Sequence, residues 1–162
     1  MALAYYDDGQ PEKALEIIKK AMQLFPNDGY VRRSALKIFI GSQKYEEAVA
    51  LFDYSGKPLH DIDTEYLALM GIAYFKTGNK AESTAILGEL LSRSRKPHLK
   101  NNYYCTAGLY MAMNEEDNAL QSLENAFSER ETNMVYLNED PSFKTLHGDP
   151  RFESLLLKMG FK

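Results

Sequence analysis

The stretch from Thr64 to Leu91 reads TEYLALMGIAYFKTGNKAESTAILGELL. Leu67, Met70, Gly71 and Tyr74 stand at i, i+3, i+4 and i+7, the spacing that lines one face of an α-helix. Gly78 and Asn79 interrupt that pattern as turn residues do. Ser83, Ile86, Leu87, Leu90 and Leu91 then resume it. The stretch therefore predicts two short amphipathic helices around a tight turn. Such a hairpin cannot bury both its apolar faces alone, so it requires neighbours.

The neighbours are found by sliding the frame Gly71, Tyr74, Gly78, Ser83, Leu87, Leu90 along the chain. Upstream it falls on Leu36, Phe39, Gln43, Ala48, Phe52 and Ser55, and again on Ala2, Tyr5, Gly9, Ala14, Ile18 and Ala21. Downstream it falls on Ala107, Tyr110, Asn114, Ala119, Leu123 and Ala126. Successive starts at 2, 36, 71 and 107 are 34, 35 and 36 residues apart. Each register keeps an aromatic (5, 39, 74, 110), a turn former or polar residue, and a small residue opening the second helix (14, 48, 83, 119). Small residues let the two helices approach, and the aromatic and the following large apolar residue fill the remaining space.

These four registers resemble the tetratricopeptide repeat, whose period is about 34 residues. Its order of Gly, aromatic, Ala, large apolar, Ala and Pro is met in part by Tyr5, Ala14, Ile18, Ala21 and Pro26 and by Phe39, Tyr45, Ala48 and Phe52. Gly71, Tyr74 and Leu87 continue it, followed by Tyr110, Ala119, Leu123 and Ala126. The departures are the absence of Trp, Ser55 and Ser83 where Ala is usual, and Arg32 where a large apolar residue is usual. The resemblance implies an all-α, right-handed α-solenoid of antiparallel helical hairpins with a C-terminal two-helix cap. It implies one domain over 1–162, with repeats at about 1–28, 29–62, 63–98 and 99–132 and a capping segment at 133–162.

Length and composition agree with one folded domain. The chain has 162 residues, and an apolar content of 44% argues against disorder. No apolar run approaches the ~18 residues of a membrane span. A net charge of −4 argues against direct nucleic-acid binding. The single cysteine, Cys105, excludes an internal disulfide framework and reads as a small buried hydrophobe, which fits a reducing, cytoplasmic setting. MALAYYDD lacks the basic start and apolar run of a signal peptide. The first register opens in mid-helix, about six residues short of a full repeat, so the chain is expected to be a piece of a longer protein.

Helices are expected at Met1 to Asp8, Glu12 to Phe25, Tyr30 to Ile40, Lys44 to Tyr54, the two halves of Thr64 to Leu91, Asn102 to Met113 and Asp117 to Ser128. Asp63 or Thr64 serves as N-cap of the central hairpin. Ser55-Gly56-Lys57-Pro58 and His60-Asp61-Ile62-Asp63 make the longest gap. In the tail, Asp140-Pro141 and Asp149-Pro150 each read as an N-cap followed by Pro at the first helical position. They announce helices at Ser142 to His147 and Arg151 to Met159, whose Phe143, Leu146, Phe152, Leu155 and Leu156 would cover the open end of the stack. From Lys80 onward the chain also resembles modules at the C-termini of bacterial signalling and regulatory proteins. The residues that carry this are Asp140, Pro141, Phe143, Leu146, Asp149, Pro150, Arg151, Phe152, Leu155, Leu156 and Gly160.

No catalytic or metal site is legible, and no cofactor is implied. His60, His98 and His147 lie far apart, each without a ligand at i+3 or i+4. No phosphate-cradling Gly-rich loop or nucleophile elbow occurs. Arg93, Arg95, Lys96, His98 and Lys100 form a basic run that either complements a helix C-terminus or makes a patch for phosphate or an acidic partner. The family resemblance places partner binding in a groove lined by the first helices of each hairpin. Its positions fall on Tyr6, Tyr30, Arg33, Lys37, Ile40, Ile72, Phe75, Lys76, Tyr104 and Met111. Aromatics with cations suit a short peptide of apolar and acidic residues. Leu69, Cys105, Glu65 and Gly108 stand where the polar clamp for chaperone tails would be, which excludes that subtype. The expected function is a non-catalytic scaffold for a protein or peptide. Self-association as a homodimer and small-ligand sensing are the rivals.

Overall fold

A computed structural model describes residues 1–52, 58–94 and 102–161. Among them there are helices and no strands. Four hairpins follow one another: α1 (Ala2–Asp7) with α2 (Pro11–Leu24), α3 (Gly29–Gly41) with α4 (Tyr45–Ala50), α5 (Thr64–Lys76) with α6 (Lys80–Arg93), and α7 (Asn102–Ala112) with α8 (Glu116–Ser128). The first helices pack in series, α1 on α3, α3 on α5, and α5 on α7. Each of α2, α4 and α6 also packs on the first helix of the next hairpin. This is how each hairpin buries its second apolar face.

The four hairpin turns share one geometry. Gly9, Gln43, Gly78 and Asn114, the turn positions of the frame, all adopt positive φ (71°, 58°, 85° and 61°). The next residue donates its N–H to the carbonyl of the frame aromatic: Gln10 to Tyr5, Lys44 to Phe39, Asn79 to Tyr74 and Glu115 to Tyr110, at 2.7–2.9 Å. With the bond from the positive-φ residue to the third residue before it, this is a Schellman helix ending. The carbonyl of that same next residue accepts from the frame's small residue, Ala14, Ala48, Ser83 or Ala119, and so opens the second helix. One residue therefore ends one helix and begins the next.

Those four small residues are wholly buried. In the third hairpin the Ser83 hydroxyl donates to the Gly71 carbonyl across the pair at 2.8 Å, so a polar side chain occupies an Ala-like site without an orphaned group. Gly71 is where three helices meet. A β-carbon there would lie 2.9 Å from Leu109 Cδ2 on α7 and 3.0 Å from Ile86 Cγ2 on α6.

Two segments depart from expectation. Helix α4 ends at Ala50, short of Leu51 and Phe52, while residues 53 and 54 of the expected helix lie outside the described residues. Leu51 and Phe52 tighten into i→i−3 bonds, and the Arg32 guanidinium donates to the freed Leu51 carbonyl. Phe52 then packs on the rings of Tyr66 and Tyr74, with centroids 6.0 and 5.4 Å away. Arg32, the apparent misfit in the repeat pattern, thus caps a helix. The second departure is the tail, where short 3-10 turns at Thr132–Tyr136 and Pro141–Leu146 precede α9 (Pro150–Lys158). Asp140 and Asp149 cap as their Asp-Pro pairs predict, accepting from Ser142 N–H and Arg151 N–H at 2.9 and 2.8 Å. Phe143, Leu146, Phe152, Leu155 and Leu156 are buried in one cluster with Tyr104, Leu120 and Leu123 of the last hairpin.

Candidate functional site

Arg33 and Lys37 stand one turn apart on α3, and both face the start of α5. Lys37 Nζ lies 2.6 Å from Glu65 Oε1, and Arg33 Nη1 is 3.6 Å from Glu65 Oε2. Arg33 Nη2 is 3.3 Å from Asp63 Oδ1, which also accepts the Tyr66 N–H at 3.1 Å as N-cap of α5. All four side chains keep a third to a half of their surface, so water and salt screen them. Pairs of this kind stabilise by about 0.2–1 kcal/mol each. Arg33 Nε is buried without an acceptor. Tyr30, one turn before Arg33, is 72% exposed.

The remaining predicted positions spread along the row of first helices. Tyr6 of α1 lies over Gly41 at the end of α3, close enough that a β-carbon on Gly41 would collide with its hydroxyl end. Burial, then the Asp7 carboxylate and Tyr45, push the Tyr6 phenol above its ordinary range. Ile40, Ile72 and Phe75 are half-buried and Lys76 is exposed. Lys80 Nζ stands 5.9 Å from the centre of the Phe75 ring. Met111 packs against the cluster shared by the last hairpin and the tail.

Tyr104 has a different role from the one expected of it. It is 8% exposed, its hydroxyl donates to Asp140 Oδ2 at 2.7 Å, and its ring meets Phe143 edge-on at 5.3 Å. The tail takes up both the polar and the apolar part of the side chain, so Tyr104 leaves little surface for a partner.

Two structural carboxylate and guanidinium sites escaped the sequence reading. Glu131 is buried and accepts the N–H groups of Tyr103 and Tyr104, both at 2.9 Å, so it caps α7 from beyond the end of α8. The positive φ of Arg130 (54°) ends α8 and turns the chain so that Glu131 points back. Burial raises the Glu131 carboxyl, and the backbone donors oppose this. Arg93 is likewise buried. It donates to Glu89 Oε1 at 2.9 Å, Thr64 Oγ1 at 3.0 Å and the Leu59 carbonyl at 2.7 Å, tying α6 to the entry of α5. It is therefore no part of a surface basic patch. Arg95, Lys96, His98 and Lys100 lie outside the described residues, as does the turn at 55–57.

Among the described residues no three His, Cys, Asp or Glu side chains converge as a metal ion requires. Burial pushes the Cys105 thiol well above its ordinary range, which keeps it protonated and inert at neutral pH. No described helix is long and apolar enough to cross a membrane.

Residues 1–28 match the family model of the tetratricopeptide repeat. No curated protein and no solved structure matches the chain. Repeats of this family generally mediate protein–protein interaction and are typically non-catalytic.

Proposed function

We propose that this chain, which carries a tetratricopeptide repeat in its first hairpin, is a non-catalytic interaction scaffold that binds a peptide or partner protein along its row of first helices. In this reading the four hairpins form a right-handed α-solenoid, and the segment from 133 onward is its two-helix cap. The tail's resemblance to modules of bacterial signalling proteins supports a regulatory setting in the cytoplasm. The observation that carries the proposal is the continuity of the row. The serial packing of α1, α3, α5 and α7, with Tyr30 exposed and Arg33 and Lys37 half-exposed on α3, supports reading this row as a preordered binding face. A preordered platform loses little entropy on binding.

The test is capture from the source organism with the chain as bait, beside a Tyr30→Asp/Lys76→Glu form. Both side chains are exposed, and neither takes part in the ion pairs that join α3 to α5. A partner kept by the parent and lost by the variant supports the first-helix face. A partner kept by both moves the interface elsewhere. Self-association is the second reading, favoured by Leu24 and Phe25, which end α2 at 72% and 58% exposure. Sedimentation over a concentration series counts against it if the chain stays monomeric throughout.

A further inference from the structure

We infer that Glu65 is an internal stand-in for a partner's carboxylate, held between Arg33 and Lys37 until an acidic segment of the partner displaces it. The inference rests on the first-helix reading above and names its partner class: an acidic peptide. Three observations carry it. The first is the unequal commitment of the two acids. Asp63 is bound into α5 as its N-cap, whereas the Glu65 carboxylate is paired with the two α3 cations. The second is poor satisfaction of Arg33. Its terminal nitrogens are 3.3 and 3.6 Å from separate carboxylates, well beyond the ~2.7–2.9 Å of a good charge-assisted bond. Its fork engages no carboxylate bidentately, and Nε has no acceptor. The third is exposure. Glu65 and both cations keep a third or more of their surface, so an incoming carboxylate can reach the guanidinium and the ammonium.

The exchange balances in charge and in hydrogen bonds. A partner carboxylate takes the two cations in a geometry free of the constraint that α5 places on Glu65. Glu65, already a third exposed, turns out into water, where its carboxylate is readily solvated. Because exposed pairs are weak, the internal contact lowers the partner's affinity without abolishing it. The site then discriminates against neutral ligands, which gain nothing by displacing Glu65.

The test uses fluorescence anisotropy with a labelled heptapeptide of glutamates around one phenylalanine, acetylated and amidated at its ends, beside its all-glutamine counterpart. Four forms are compared: the parent, Glu65→Gln, Glu65→Asp and Arg33→Gln/Lys37→Gln, each checked for intact thermal unfolding. The expected result is weak binding of the glutamate peptide by the parent and about three- to tenfold tighter binding by Glu65→Gln. Loss in the double variant and no binding of the glutamine peptide complete it. Glu65→Asp keeps the charge but withdraws it from Lys37 by one methylene, so it should bind the glutamate peptide more tightly than the parent, which keeps the test decisive where Glu65→Gln folds poorly. Equal or weaker binding by both Glu65 variants overturns the inference, as does failure of every form to bind the glutamate peptide. Neither result touches the first-helix reading, which fails instead when a captured partner is indifferent to Tyr30→Asp/Lys76→Glu.

Discussion

Replacing Gly71 by alanine tests the three-helix junction that the repeat frame implies. In an open helical site Gly→Ala stabilises by about 1 kcal/mol through propensity alone. Gly108 on α7 and Gly88 on α6 are such sites, because a β-carbon at either meets nothing within 4 Å. At Gly71 the same methyl would press on Leu109 and Ile86 at 2.9–3.1 Å. Both neighbours are buried and have little room to retreat. Overpacking of this kind costs about 1–3 kcal/mol, which cancels or exceeds the propensity gain. Gly71→Ala should therefore be neutral to about 2 kcal/mol destabilising, while Gly108→Ala and Gly88→Ala stabilise by about 1 kcal/mol. The mean gap of about 2 kcal/mol corresponds to about 4–8 °C in Tm for a chain of this size. Urea unfolding followed by circular dichroism measures it, with one helical signal for all three variants. If Gly71→Ala is as stable as Gly108→Ala, the close approach of α5, α6 and α7 is wrong and the frame loses its physical basis.

Gln43→Gly should stabilise the chain by about 1 kcal/mol, because Gln43 holds φ at 58° in a turn where glycine carries no steric cost. Asn114→Gly, at 61° with a residue that tolerates this conformation, should change thermal stability far less. Glu131→Ala should destabilise by about 1–2 kcal/mol in chemical unfolding, since α7 loses the cap on two N–H groups. Glu131→Gln addresses the pH dependence. The native carboxyl is raised, so its protonated form is favoured in the fold, and stability falls as pH rises from the unfolded value near 4.5 through the native one. Unfolding midpoints of Glu131→Gln should lack that fall. Asp149 behaves oppositely: hydrogen bonds from Arg151 hold its carboxyl at about 2. Its contribution is present above about pH 4 and lost as pH drops toward 2, so acid unfolding of Asp149→Asn should show a shallower limb in that window.

What could be read from the residues was whatever repeats locally. The frame's small positions and turn positions carry the same chemistry every 34 to 36 residues, and the structure gives them the same burial and the same positive φ. The Asp-Pro pairs were legible for a similar reason, since cap and first turn are adjacent in sequence. Groups whose partners are distant left no periodic trace. Glu131 meets α7 from 27 and 28 residues away, and Arg93 meets Leu59 from 34. Nothing near either residue announces the contact. Arg93 even misleads, because a run of cations reads as surface. Arg32 shows the converse, a residue that breaks the apolar pattern because a helix end needs a donor there. The early end of α4 follows from the same contact. At the candidate site, the family resemblance singled out Arg33 and Lys37 on the first-helix face, but their pairing with Asp63 and Glu65 depends on how two hairpins stack. Tyr104 was misjudged because the tail lies outside the repeat period and folds back onto α7.

Placing a photo-crosslinking residue at Tyr30 or Lys76, and in parallel at Lys19 on α2 or Gln121 on α8, tests the interaction face most directly. All four positions are exposed, so each reports on its own surface without disturbing the core. The scaffold reading predicts a partner adduct from Tyr30 and Lys76 and none from Lys19 and Gln121. Adducts from the second-helix positions alone, or equally from all four, would contradict it.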